Sequence, residues 1–126
     1  MEMKLELVAV PVTDTDRAKE FYEKKVGFVV DHDHRVQEGL RFVQLTPPGS
    51  ACSIVIGDGT TTMKAGSQQG LQMVIKDAQK AHDTLKANGV AVSEVQDMPW
   101  GIFVFFEDPD GNKLEVCFRE STTASS

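Results

Sequence analysis

The chain has 126 residues, 40% of them hydrophobic and 25% charged, a composition that suits one globular domain and excludes a disordered chain. Its formal net charge of -6 comes with no run of Lys or Arg, which excludes the concentrated basic face that nucleic acid or an anionic membrane requires. No stretch approaches the roughly 18 apolar residues of a membrane span, and no signal-like segment opens the chain, so a soluble, cytoplasmic protein is expected.

In chain order, residues 4–12 alternate into an apolar run that predicts a strand. Asp14 offers an N-cap to a helix that Gly27 stops, with Ala18, Phe21 and Tyr22 as its apolar stripe. Strands are predicted near 28–34, 40–46 and 52–56, the last two separated by a Pro47-Pro48-Gly49 turn. Residues 58–69 are rich in Gly, Thr, Ser and Gln, without period, and read as a linker. A strand at 71–75, a helix from Asp77 to Asn88-Gly89, and strands near 90–95, 101–107 and 113–119 follow. Asp108-Pro109-Asp110-Gly111 forms the last hairpin turn. Residues 120–126 are polar and are expected to fray. Cys52 and Cys117 lie in strand-like runs without metal-ligand spacing and read as buried thiols of a reducing compartment.

The second half repeats the first. Leu7 to Asp14 followed by Arg17-Ala18-Lys19 overlies Gly70 to Asp77 followed by Lys80-Ala81-His82, at a constant offset of 63 (81 minus 18). The expected fold class is therefore α+β: two tandem βαβββ modules, about 4–57 and 70–119, forming a curved mixed sheet around a cavity.

The helix start "VPVTDTDRAKEFYEKKVGF" and the ending "FFEDPDGNKLEV", within a duplicated βαβββ plan, resemble the vicinal oxygen chelate superfamily of glyoxalases, bleomycin resistance proteins and extradiol dioxygenases. The resemblance implies a cavity in which both modules offer His or Glu ligands to one divalent ion, and it implies a homodimer. The matching ligand positions here are Leu7, Gly70, Val55 (Ser53 if the turn is shifted) and Glu115, of which only Glu115 is a plausible ligand. One carboxylate is too few where about three protein ligands are normal. The metal site of the family is expected to be absent, with a divalent metal conceivable only through a non-standard site using Glu115 and His34.

Several residues are candidates for other work. His32 and His34 in "DHDHR" fall on one side of a strand and are concentrated donors; His34 is the candidate proton-transfer or substrate-binding histidine, its alternative being simple exposure. His82 borders the packed face of a helix and reads as a boundary residue. Glu115 is a candidate general base or hydrogen-bond donor if it points into an apolar cavity; pairing with Arg41 or Lys113, or plain hydration, is the other possibility. Trp100, Phe103 and Phe105 could clamp a flat ligand, although a lone Trp also suits a core or a dimer interface. Gln44, Gln72 and Arg41 interrupt apolar strands, either to orient a ligand or through alternation onto a solvated face.

Two functions from different classes are left. One is a metal-independent binder of hydrophobic or aromatic, antibiotic-like small molecules in a cavity between the modules, with Trp100, Phe103 and Phe105 as walls and Glu115, Gln44 and His34 as polar anchors. The other is an enzyme, either a divergent metal-dependent lyase or dioxygenase or a metal-free isomerase using Glu115.

Overall fold

A computed structural model describes residues 1–119, so the tail at 120–126 lies outside the described residues. The chain divides into two compact units, residues 1–68 with 108–112, and residue 69 onward without that five-residue segment.

Unit 1 holds β1 (Leu7–Ala9), α1 (Thr15–Glu20), β2 (Val29–Gln37), β3 (Leu40–Thr46) and β4 (Ser53–Asp58). Asp14 caps α1 by accepting from the Arg17 amide at 3.1 Å, satisfying an amide that has no partner within the helix. The helix runs on into a wider, π-type segment (Phe21–Val26), where Gly27 closes it in the left-handed region at φ 98°. The sheet order is β1-β4-β3-β2, with β1 parallel to β4 and the other neighbours antiparallel. Strand β3 alternates strictly between buried and half-buried residues. Val43 and Leu45 therefore face α1 with Ile54 and Ile56, all buried, and the register places Phe42, Gln44 and Val55 on the other side.

Unit 2 repeats this order with β5 (Leu71–Val74), α2 (Ala78–Ala87), β6 (Gln96–Met98), β7 (Gly101–Glu107) and β8 (Lys113–Phe118), arranged β5-β8-β7-β6 with β5 parallel to β8. Asp77 caps α2 through the Lys80 amide at 3.0 Å, so the two capping pairs keep the offset of 63 (77 minus 14, 80 minus 17). In unit 1 Ala9 stands opposite Val55, and in unit 2 Gln72 stands opposite Glu115. Val104, Phe106, Leu114 and Val116 are buried on the side of β7 and β8 that α2 covers. Burial of each is worth roughly 1.5–3 kcal/mol.

The strand expected at 90–95 does not form. Val90 is buried behind the end of α2, Val92 makes a single bridge to Phe106, and the ladder is then broken by a side chain. The Phe105 amide donates to Ser93 Oγ at 2.9 Å, so the hydroxyl replaces a backbone acceptor, and regular pairing begins again only at β6.

The Asp108-Pro109-Asp110-Gly111 turn is more than a hairpin connection. Asp108 is buried, and its carboxylate accepts from Tyr22 Oη (2.8 Å), Asn112 Nδ2 (2.8 Å) and the amides of Asp110 (2.9 Å) and Asn112 (3.0 Å). Asn112, fully buried, also donates to the Pro11 carbonyl at 2.8 Å and accepts from the Gln68 amide at 3.0 Å. Asp110 accepts from Thr13 Oγ1 at 2.6 Å. These bonds explain why five residues from late in the chain belong to unit 1. They also fix the end of the segment read as a linker: a Cβ on Gly66 would lie 2.2 Å from the Asp110 carbonyl oxygen, so only glycine fits there.

Candidate functional site

In unit 2 the register sets Gln72 opposite Glu115, Glu115 opposite Phe105, and Cys117 opposite Phe103. All five side chains therefore share the sheet face turned away from α2. The rings of Phe103 and Phe105 stack nearly parallel, with centroids 5.7 Å apart and planes 6° from one another. Phe103 is buried, while Phe105 and Glu115 are half-buried.

Beside this pair runs a polar chain. With its amide oriented to satisfy both neighbours, Gln72 donates to Glu115 Oε2 at 2.7 Å and accepts from Arg119 Nη2 at 2.5 Å. The guanidinium polarises the amide, and the amide in turn holds the carboxylate in place. Glu115 takes neither of the ion pairs anticipated for it. Lys113 bridges to Glu107 at 3.1 Å, and Arg41 is engaged elsewhere.

Trp100 lies in the tight turn between β6 and β7 and is 64% exposed, so it is not a core tryptophan of this chain. It lines a cavity of about 470 Å³ with Asp97, Met98, Ile102, Phe118 and Arg119. Ile102 and Phe118 are cross-strand partners on the α2 side, so the cavity is built from a different surface than the Phe103–Phe105 stack. Arg119 serves both, lining the cavity while reaching Gln72. Reasoning from sequence missed Arg119, although alternation from Glu115 through Cys117 returns position 119 to the same side, and that was the available signal.

In unit 1, Gln44, His32 and His34 lie on the face turned away from α1, beside Phe42 and Val55. Gln44 Nε2 donates to Ser53 Oγ at 3.3 Å, Ser53 Oγ and Thr46 Oγ1 are 2.6 Å apart, and the Thr46 hydroxyl donates to the Asp31 carboxylate. The His32 and His34 rings stack with centroids 5.8 Å apart and planes 25° from one another.

Arg41 departs from this group and from the ligand-orienting role considered for it. It turns to the α1 side, where Nε and Nη2 donate to the two Asp33 oxygens at 3.0 and 2.9 Å and Nη1 donates to Asp16 at 2.6 Å. Lys19 adds a bond to Asp33 at 2.7 Å. The Arg41 and Lys19 hydrogen bonds hold the Asp33 carboxyl well below the usual carboxylate range, and the Asp33 and Asp16 bonds push Arg41 up. The bulk of Arg41 is spent on this clamp, which strict alternation along β3 dictates but residue type alone conceals. His82 is buried on α2 with Nδ1 2.9 Å from Asp83.

The donor set for the family's metal does not fit. Leu7, Val55 and Gly70 offer no ligating side chain, and among the described residues no group of three or more His, Cys, Asp or Glu is placed to hold an ion. His34 and Glu115 belong to different sheets.

The architecture defines a duplicated βαβββ protein of the α+β class, with few helices and two four-stranded mixed sheets. The family model for the Glyoxalase/Bleomycin resistance protein/Dioxygenase superfamily matches residues 4–116, and the chain belongs to that superfamily. It is 35% identical over 109 residues to the uncharacterized protein YetH of Bacillus subtilis strain 168, covering 83% of this chain and 89% of that one. Among solved structures it is similar to TnmS3, an antibiotic binding protein from Streptomyces sp. CB03234, at 34% identity and TM-score 0.86, covering 94% of this chain and 98% of that one. It is similar also to a glyoxalase/bleomycin resistance protein from the same strain, at 36% identity and TM-score 0.80, covering 90% and 99%. No helix among the described residues is long and apolar enough to cross a membrane.

Proposed function

We propose that this protein is a metal-independent binder of a flat, hydrophobic or aromatic, antibiotic-like small molecule, held on the unit 2 sheet. The observation that carries the reading is the parallel Phe103–Phe105 stack set directly against the Arg119–Gln72–Glu115 chain. Half-buried Phe105 offers a π surface to a planar ligand, worth about 0.5–1.5 kcal/mol beyond the area it buries. Glu115 and Arg119 supply an acceptor and a donor of opposite charge that fix orientation. Exposed Trp100, with Met98 and Ile102, forms a separate apolar surface on the other side of the sheet, which Arg119 also lines. The identity to TnmS3 favours the same class of ligand.

The reading includes a homodimer in the cytoplasm. Edge strand β2 carries exposed Val29 and Val36, which suits pairing with a second copy, and free Cys52 and Cys117 suit a reducing compartment.

The test is titration of untagged protein with a panel of planar aromatic antibiotics, followed by Trp100 fluorescence, with and without EDTA. Saturable quenching with an unchanged Kd in EDTA is expected. Loss of binding in EDTA, or stoichiometric metal that disappears in Glu115→Ala, would overturn metal independence and bring lyase or dioxygenase chemistry forward. Substrate turnover abolished in Glu115→Gln with binding retained would make the protein a metal-free isomerase instead.

A further inference from the structure

The histidine pair of β2 has no part in that reading, and the structure gives it a defined setting. We propose that His32 and His34 form a bidentate surface site for a late first-row divalent ion, Cu²⁺, Ni²⁺ or Zn²⁺, separate from the position where the family's metal would lie.

Three observations support the site. Two residues apart on a strand, the histidines emerge on one face, and their rings already lie side by side at 5.8 Å with both residues exposed. The residue between them is anchored on the opposite face. Asp33 is gripped by both Arg41 bonds and by Lys19, and this clamp fixes which way the strand faces, so the imidazoles cannot exchange sides without breaking three charge-assisted hydrogen bonds. Finally, the cross-strand neighbours carry no charge: Gln44 stands opposite His32 and Phe42 opposite His34.

The chemistry then selects the ion. Neutral imidazole nitrogens are borderline ligands that suit copper, nickel and zinc at about 2.0–2.1 Å, whereas calcium and magnesium take oxygen. Rotation about the side-chain torsions of two exposed histidines brings their nitrogens to a shared ion at little cost, and water completes the coordination. The net charge of -6 favours a cation. The pair sits on β2, two strands across from Val55 on β4, or about 10 Å at ordinary strand spacing, so it is not the family's site displaced by a residue.

The experiment is calorimetric titration of untagged, chelator-stripped protein with CuSO₄, NiCl₂, ZnCl₂ and MgCl₂, using wild type, His32→Ala, His34→Ala and Glu115→Gln. Far-ultraviolet circular dichroism verifies folding of each variant. About one equivalent of Cu²⁺, Ni²⁺ or Zn²⁺ is expected in wild type and Glu115→Gln, no Mg²⁺, and an affinity reduced on the order of tenfold or more in each histidine variant. Absence of binding, or binding that survives both histidine substitutions, would overturn the proposal. Neither result bears on the aromatic ligand site, because Glu115→Gln and the antibiotic titration report on that site separately.

Discussion

The hydroxyl of Tyr22 donates to Asp108 Oδ2 across 2.8 Å, joining residues 86 positions apart in the chain inside one buried hydrogen-bond cluster. Tyr22 is fully buried at the end of α1, and Asp108 opens the turn whose Asn112 reaches back to Pro11. Burial first, and then the negative charge of Asp108, push the Tyr22 phenol far above its ordinary value.

Tyr22→Phe removes this donor and leaves the Asp108 carboxylate one partner short. A loss of about 1–3 kcal/mol in urea unfolding is expected. The pH dependence follows from the raised phenol. Its stabilisation is complete below the unfolded tyrosine pKa of about 10 and drains away as pH rises above it, because only the unfolded chain then ionises. Tyr22 is the single tyrosine, so tyrosinate absorbance at 295 nm reports it alone. Absorbance should appear together with unfolding rather than before it; tyrosinate formed in the folded protein near pH 10 would contradict the buried bond.

Asp33→Asn breaks the clamp on Arg41, which is left with a single partner on the α1 side. We expect a loss of about 1 kcal/mol, since the bonds are charge-assisted but the carboxylate is only part-buried and solvent screens it. The sign with pH is opposite to that of Tyr22. Because the folded carboxyl titrates lower than the unfolded one, the stabilisation is present above about pH 4 and is lost as pH falls below that value toward the depressed folded pKa. Thermal melts of wild type at pH 7 and pH 3 should differ by more than those of Asp33→Asn; equal differences would mean that the pair contributes nothing.

Phe105→Ala and Trp100→Ala separate the two surfaces of unit 2. Loss of a stacking wall weakens ligand affinity by on the order of 1–3 kcal/mol. Fluorescence serves for the first variant and calorimetry for the second. An unchanged Kd in Trp100→Ala would remove the 470 Å³ cavity from the site while leaving the phenylalanine stack.

The equivalent caps offer an internal comparison. Asp14→Ala and Asp77→Ala each delete one side-chain acceptor at a helix N-terminus, and each should cost about 0.5–2 kcal/mol. Chemical denaturation of the two variants tests whether the repeat is energetic as well as geometric; a cost in only one would show that the other helix start is held by its surroundings.

Much of the scaffold was legible before any coordinates. Apolar runs bounded by glycine and turn punctuation marked β3 and β7, and aspartates ahead of apolar stripes marked both helix starts. These are local signals, decided within a few residues. The missing strand at 90–95 was hidden because a serine hydroxyl took over one backbone acceptor, a substitution that composition does not reveal. For the site, alternation set Glu115 on the opposite face from Leu114 and Val116, yet it could not say that Trp100 would lie on a different surface from Phe103 and Phe105, that Arg41 would be claimed by Asp33 and Asp16 or that Arg119 would reach Gln72. Those outcomes depend on which side chains the folded chain brings within reach of a charged group, a tertiary matter.

Ala9 facing Val55 and Gln72 facing Glu115 are the same architectural address written in two chemistries. One half of the molecule is thereby a ready-made blank for the other, with equal strand order and equal caps but alkyl groups where its twin bears an amide and an acid. A Gln–Glu pair at that address can hydrogen-bond, as it does across 2.7 Å, where an Ala–Val pair can only pack.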